Sequence, residues 1–329
     1  MKETSAFSTT RRDLLRYAGI TLGGGMLAGV LPGSLTSSLL AAQAPAAGDR
    51  KAQMLAAGAA AKLTTTKLTG NIYSVIGSGG NMAVLDGPDG KVLIDSSFST
   101  TAPQLKAALA GISGNPLKLL INTHWHFDHT NGNQAIHQEG AQIMAQTNTR
   151  KRMSTPQDMA LLGMHFDASP ADALPQITFA EEEQLYFDGE QLHLEHYAPA
   201  HTDSDIFIHF IQSNVIHTGD IWFNGFYPVI DYSSGGNING MIAAAEKTLS
   251  IANGTTIIIP GHGPVGGKAG LQAYRDMMAA IRDSVAKLKA AGKSSEEAVA
   301  AKPTAEFDAK WGHGYFSGDQ FTALVYKTL

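Results

Sequence analysis

The segment His124-Trp125-His126-Phe127-Asp128-His129 constrains this chain more than any other part of it. It follows directly on Leu117–Asn122, a short apolar run that reads as a buried strand. Alternate side chains of an extended segment point the same way, so His124, His126 and Asp128 converge on one side while Trp125 and Phe127 pack beneath. His129 joins them only where the chain turns, and Thr130-Asn131-Gly132-Asn133 favours a turn there. Two imidazoles and a carboxylate at this spacing suit zinc. None of the 329 residues is cysteine, which excludes disulfide scaffolds, cysteine nucleophiles and iron–sulfur clusters. Any metal must be held by His, Asp or Glu.

Three more segments place a ligand-capable residue just past an apolar strand. His201 in Pro199-Ala200-His201-Thr202-Asp203 follows Leu192–Tyr197, and Asp220 in Thr218-Gly219-Asp220 follows Val215-Ile216. His262 in Pro260-Gly261-His262-Gly263-Pro264 follows Ile257–Ile259. Glycines beside Asp220 and His262 let the backbone approach a crowded centre. Strand ends at one sheet edge are where such sites assemble.

These motifs, in this order, resemble the metallo-β-lactamase superfamily of dinuclear hydrolases from about Lys67 to Pro264. The resemblance implies an α/β fold, an αββα sandwich of two β-sheets flanked by helices. It implies two Zn2+ ions, with iron or manganese as possible substitutes. His124, His126 and His201 would hold the first metal, Asp128, His129 and His262 the second, and Asp220 would bridge them. Zinc lowers the pKa of bound water from 15.7 to about 7, so hydrolysis of an activated acyl bond by a metal-bound hydroxide is implied, with Asp128 orienting it and passing on its proton.

The expected activity is β-lactamase-like, with a lactonase or glyoxalase II-like thioesterase as the alternative and a non-catalytic periplasmic metal-binding protein as a further one. Two departures bear on that choice. β-Lactamases usually carry Cys or Ser where this chain has Asp220, and a bridging Asp is the pattern of thioesterases and lactonases. Phe223 stands where many β-lactamases have a Lys and lactonases a Tyr. The aromatic run Trp222–Tyr227 offers an apolar wall, with Asn224 or Tyr227 as polar substrate contacts. Gly77–Asn81 reads as a hairpin turn or a flap over the site, and His165 as a possible cleft residue. His193, His196, His209 and His217 read as surface or satisfied core groups, Met153, Met159 and Met164 as packing, and Lys268–Leu329 as covering helices without chemistry.

Residues 1–44 read as a twin-arginine export signal: Arg11-Arg12, a Gly-interrupted apolar stretch, then Ala42-Gln43-Ala44 as a cleavage site. Gly23–Gly25 and Pro32 break the apolar run that a spanning helix needs, so no stable membrane anchor is expected after cleavage. The signal holds four of the chain's 24 basic and two of its 29 acidic residues, which leaves a mature net charge of −7. An acidic body without a basic run argues against nucleic acid and for a small-molecule substrate. A periplasmic protein is expected, with 45–66 a tether or short helix and 67–329 one hydrolase domain. Within it, residues 148–176 read as a connection holding two Met-rich helical fragments.

Overall fold

A computed structural model describes residues 47–197 and 199–329. The expected export signal and its cleavage site at Ala44 lie outside the described residues. Among those described, no helix is long and apolar enough to cross a membrane.

The first half begins with helix α1 (Ala47–Ala60) and an antiparallel run β1 (Thr64–Thr69), β2 (Ile72–Ile76), β3 (Met82–Gly87) and β4 (Gly90–Ile94). Helix α2 (Ala102–Ile112) then crosses over to β5 (Leu117–Asn122), which pairs parallel to β4. The short helices α3 (Phe127–Thr130) and α4 (Asn133–Gln138) lead to β6 (Gln142–Gln146). After α5 (Thr147–Met153) come a two-stranded hairpin, β7 (Gln157–Met159) with β8 (Met164–Phe166), and the edge strand β9 (Ile177–Phe179). The resulting sheet has the order β1-β2-β3-β4-β5-β6-β9.

The second half repeats the plan. A meander of β10 (Glu182–Phe187), β11 (Glu190–His196), β12 (Ile206–Phe210) and β13 (Val215–His217) is followed by helix α6 (Ile238–Ile251). That helix crosses to β14 (Ile257–Ile259), parallel to β13, and β15 (Gly266–Gly267) closes a six-stranded sheet. Helices α7 (Lys268–Ala290), α8 (Ser295–Ala300), α9 (Asp308–Trp311) and α10 (Gly318–Thr328) complete the chain.

Period-two burial stacks the layers. In β4 and β5, Val92, Ile94, Leu119 and Ile121 meet Leu192, Ile206, Ile208 and Val215 of the other sheet in one core. Their neighbours Leu93 and Leu120 face the opposite way, onto Leu105 and Leu109 of α2 and Ile136 of α4. In the second sheet, Phe207, Ile216 and Ile258 face Met241 and Ala245 of α6 and Met277 and Ile281 of α7. Helix, sheet, sheet, helix is the expected αββα sandwich. Both crossovers leave strand C-termini on one edge: β5 in the first sheet, and β11, β13 and β14 in the second.

One local expectation is narrowed and another corrected. Of the tether and the short helix expected before the first strand, the described residues form the helix, and α1 docks on residues 100–104: Thr100 Oγ1 donates to Leu55 O (2.7 Å) and Gln104 Nε2 to Ala59 O (2.7 Å). The second Met-rich fragment is the β7–β8 hairpin, with Met159 and Met164 directly paired and buried.

Candidate metal centre

All seven expected residues sit at that edge, in two sets: His124, His126, His201 and Asp220, and Asp128, His129 and His262. Within each set the ligand-capable atoms lie within 4.8 Å of one another. His124 and His126 lie just past β5, and His126 is in extended backbone immediately before α3. The turn therefore comes two residues earlier than the sequence suggests. It swings Asp128 and His129 round as a pair and leaves Phe127 on the cleft wall instead of beneath the site; Trp125 is buried in the core.

Asp220 is divided between the sets. Its Oδ2 lies 3.3 Å from His201 Nε2 and 3.8 Å from His124 Nε2. Its Oδ1 lies 3.2 Å from His129 Nε2 and 3.4 Å from His262 Nε2. Asp128 Oδ2 is 3.2 Å from His262 Nε2, and His126 Nδ1 is 2.8 Å from His201 Nε2. Gly261 permits this closeness: a Cβ there would overlap Asp220 Oδ1.

Each imidazole is held from behind by its other nitrogen, which fixes the nitrogen turned inward. His124 Nδ1 pairs with Thr123 Oγ1 (3.0 Å), and His129 Nδ1 with Asp95 Oδ2 (2.7 Å). His201 Nδ1 donates to Val229 O (2.8 Å), and His126 Nε2 faces Asp231 Oδ2 (3.1 Å). His262 Nδ1 pairs with the Tyr315 hydroxyl (3.2 Å). Asp95 is fixed in turn by the backbone N–H and hydroxyl of Thr123, both at 2.8 Å.

The inward atoms are poorly satisfied without a cation. His124 Nε2, His129 Nε2 and Asp220 Oδ1 are buried and make no hydrogen bond. Leaving such groups unmade costs about 1–3 kcal/mol each. Five imidazoles and two carboxylates with lone pairs directed at two points fit a divalent metal site, and this is where one would be held. The charges agree. Burial opposes its ionisation, yet His262, His129 and His201 hold Asp220 well below the ordinary carboxylate range. Asp128 is brought down to about 2 against the same burial, by His129 and His262. Burial presses His124 and His201 toward the neutral form, His201 to about 4. For His262 the carboxylates of Asp220 and Asp128 outweigh burial and raise it to about 9.

The centre opens into a cleft of about 500 Å³, its mouth included. Met54, Phe127, Met159, Leu162, Phe166 and Phe223 supply most of an apolar wall, and among the described residues no Lys or Arg lines it. Phe223 stacks on His262 with ring centroids 5.2 Å apart.

Neither expected polar substrate contact reaches this cleft. Asn224 turns away to donate to Pro264 O (2.7 Å), and the Tyr227 hydroxyl is spent on Asp308 Oδ1 (2.9 Å) while its ring stacks on Phe321. His165 pairs with Asp158 on the surface instead of lining the cleft. Gly77–Asn81 is a hairpin loop packed against the centre, not a flap: Gly80 abuts the His129 ring, and Asn81 Nδ2 donates to Pro260 O and Gly263 O. His217 is a satisfied core residue, bonded to Asn81 O and Gly219 N. Tyr315 was missed, since the C-terminal helices were expected to carry no chemistry. The one sequence sign of it is the glycine-flanked aromatic run Trp311–Phe316 between two helical stretches.

Comparison with known proteins agrees with this geometry. The family model described as the metallo-beta-lactamase superfamily matches residues 75–271. The chain belongs to that superfamily. Among solved structures, it resembles the stereoselective inverting sec-alkylsulfatase Pisa1 from Pseudomonas sp. at TM-score 0.64 and 19% identity, over 83% of this chain and 51% of that one. The chain thus spans about half the length of that sulfatase. A metallo-beta-lactamase from Pontibacter korlensis matches at TM-score 0.54 and 18% identity, over 66% of this chain and 99% of the other. The DIM-1 metallo-beta-lactamase matches at 0.51 and 18%, over 66% and 97%. At these identities the likeness is one of fold.

Proposed function

We propose that the protein is an exported dinuclear zinc hydrolase that cleaves acyl compounds with an apolar body, of the ester, lactone or thioester kind. The observation that carries this reading is Asp220, with one carboxylate oxygen turned to each set of histidines beneath a cleft that no Lys or Arg lines among the described residues. Divalent ions held by these two sets of residues would supply an activated water at neutral pH and Lewis-acid polarisation of a carbonyl. The chain's own groups do the rest. Asp128 is the most exposed of the carboxylates in the centre, so its oxygen orients the water and accepts its proton. Met54, Met159, Leu162 and Phe223 desolvate the acyl body and hold it against the centre. Asp231 and Asp95 keep His126 and His129 in place as proton and charge shift.

β-Lactam hydrolysis is the second reading, favoured by family membership. Against it stands Phe223, buried and stacked on His262 where a lysine would meet the substrate carboxylate. Purified zinc-loaded protein assayed on an aryl ester, a thioester, a lactone and a chromogenic cephalosporin, with and without chelator, separates the two. The expected result is chelator-sensitive acyl ester cleavage with kcat/KM above about 10⁴ M⁻¹s⁻¹, the low end for ordinary enzymes. A cephalosporin turned over faster than every ester would overturn the substrate reading. Export belongs to the same proposal: the mature protein should appear in the periplasmic fraction, and replacing Arg11 and Arg12 by Lys should keep it in the cytoplasm.

A further inference from the structure

A second cavity lies beside the metal cleft and shares two walls with it, since Phe127 and Phe166 line both. It encloses about 620 Å³, mouth included, and Lys51, Trp125, Asn131 and Arg152 contribute to its lining. Lys51 stands at the junction: its Nζ is 5.3 Å from the Phe127 ring centroid and 5.6 Å from that of Phe166. Phe127, between the site residues His126 and Asp128 in the chain, thus touches both this ammonium and the metal cleft.

The donors around this cavity outnumber what the protein offers them. No described carboxylate pairs with Lys51. Arg152, by contrast, is spent on Asp203 through Nε (2.5 Å) and Nη2 (2.7 Å) and on Gln157 Oε1 (3.1 Å). The indole N–H of Trp125 finds no acceptor, and Asn131 uses its oxygen to accept from Ser99 N. Asp167 is the one acid in the lining and lies out in solvent next to His165. A ligand that fits here brings acceptors and negative charge.

The placement of Lys51 is built in. Helix α1 is anchored to residues 99–104, and residues three apart share a helix face. Lys51 therefore looks onto the second cavity while Met54 enters the metal cleft. We infer that Lys51 is the anion-holding group of a second subsite, which receives the negatively charged far end of an acyl substrate whose scissile carbonyl lies in the metal cleft. This rests on the acyl-hydrolase reading and sharpens it: the substrate class is an apolar acyl chain that ends in a carboxylate, sulfonate or phosphate. The competing account is a lysine that merely lies along aromatic surface with its charge in water.

The test compares p-nitrophenyl hexanoate with p-nitrophenyl hydrogen adipate, esters of equal acyl length that differ by one terminal carboxylate. Wild-type enzyme should favour the adipate. Lys51→Met should raise KM for the adipate about tenfold, leaving its kcat and the KM of the hexanoate unaltered, and Lys51→Arg should restore it. The preference should fade in 1 M salt, where the Debye length falls to about 3 Å. Equal KM changes on both esters, or none on either, would overturn the subsite. Calorimetric titration with octanesulfonate reads the same site without turnover. At least threefold weaker binding by Lys51→Met supports the subsite even if neither ester is cleaved, in which case only the acyl-ester reading fails; equal binding by both proteins overturns it.

Discussion

Tyr315 and Gly261 show how single side chains set this centre. The Tyr315 hydroxyl is the partner that turns His262 so that Nε2 faces Asp128 and Asp220. Removal of such a partner costs about 10–100-fold in metal affinity. Tyr315→Phe keeps the ring against Phe223 and Phe226 and should lose affinity in that range for one metal equivalent only, measured by competition with a chromogenic chelator. No loss at either equivalent would mean that the ring, not the hydroxyl, holds His262, and a uniform loss at both would mean that the hydroxyl does not act through His262 alone. At Gly261 the argument is steric. Gly261→Ala forces its methyl group into Asp220 Oδ1, so the protein should fold with reduced metal stoichiometry and activity down by at least a hundredfold. The seven centre residues stand out in the sequence because each lies just past an apolar strand, and the resemblance to a known family grouped them; strand alternation alone did not place Asp128. Tyr315 does not stand out: it meets His262 from 53 residues away, and helical periodicity reports packing, not which aromatic reaches a ligand.

At the scale of elements, the strands and crossovers were readable and the short pieces were not. Leu117–Asn122 is a strand over the residues expected, because its apolar run leaves little choice. The β7–β8 hairpin has only three residues per strand, and Met and Leu favour helices. What makes it β is burial of Met159 and Met164 against the cleft, a tertiary cause invisible locally. The β4–α2–β5 crossover depends on another such cause. Lys91 is buried, and its Nζ donates to Ser113 O (2.9 Å) and Asn115 O (2.5 Å) beyond the end of α2, with Asp86 at 3.6 Å. Lys91→Met should cost on the order of 3 kcal/mol, since two carbonyls and a carboxylate lose their cation. Urea unfolding with an unchanged m-value would measure it. A loss under 1 kcal/mol would show that water replaces the amine.

For the whole molecule, the centre is the seam between two half-domains, and its protons decide when it closes. Four of the seven groups follow the first sheet and three the second, so metal binding ties the halves together. Chelation should lower the thermal midpoint by roughly 10 °C if the metal is present at a thousand times its Kd. The size of that drop should depend on pH. In metal-free protein, Asp220, Asp128 and Asp95 overcome burial and raise His129 well above its ordinary value, and the first two raise His262 to about 9. The stability His262 contributes is present in full below the unfolded value of 6.5 and is lost as pH rises through about 9, and that of His129 is likewise lost on the alkaline side. Burial lowers His124 and His201, the latter to about 4, so their contribution falls as pH drops from 6.5 toward 4. Metal-free protein should therefore be most stable near pH 6.5. A cation entering the Asp128–His129–His262 set must displace two protons at pH 7, whereas His124 and His201 have none to give. Zinc titration in two buffers of different ionisation enthalpy should accordingly show one binding phase that releases about two protons and is weaker at lower pH, and one that does neither. Equal proton release in both phases would mean that Asp220 does not divide its charge as the geometry places it.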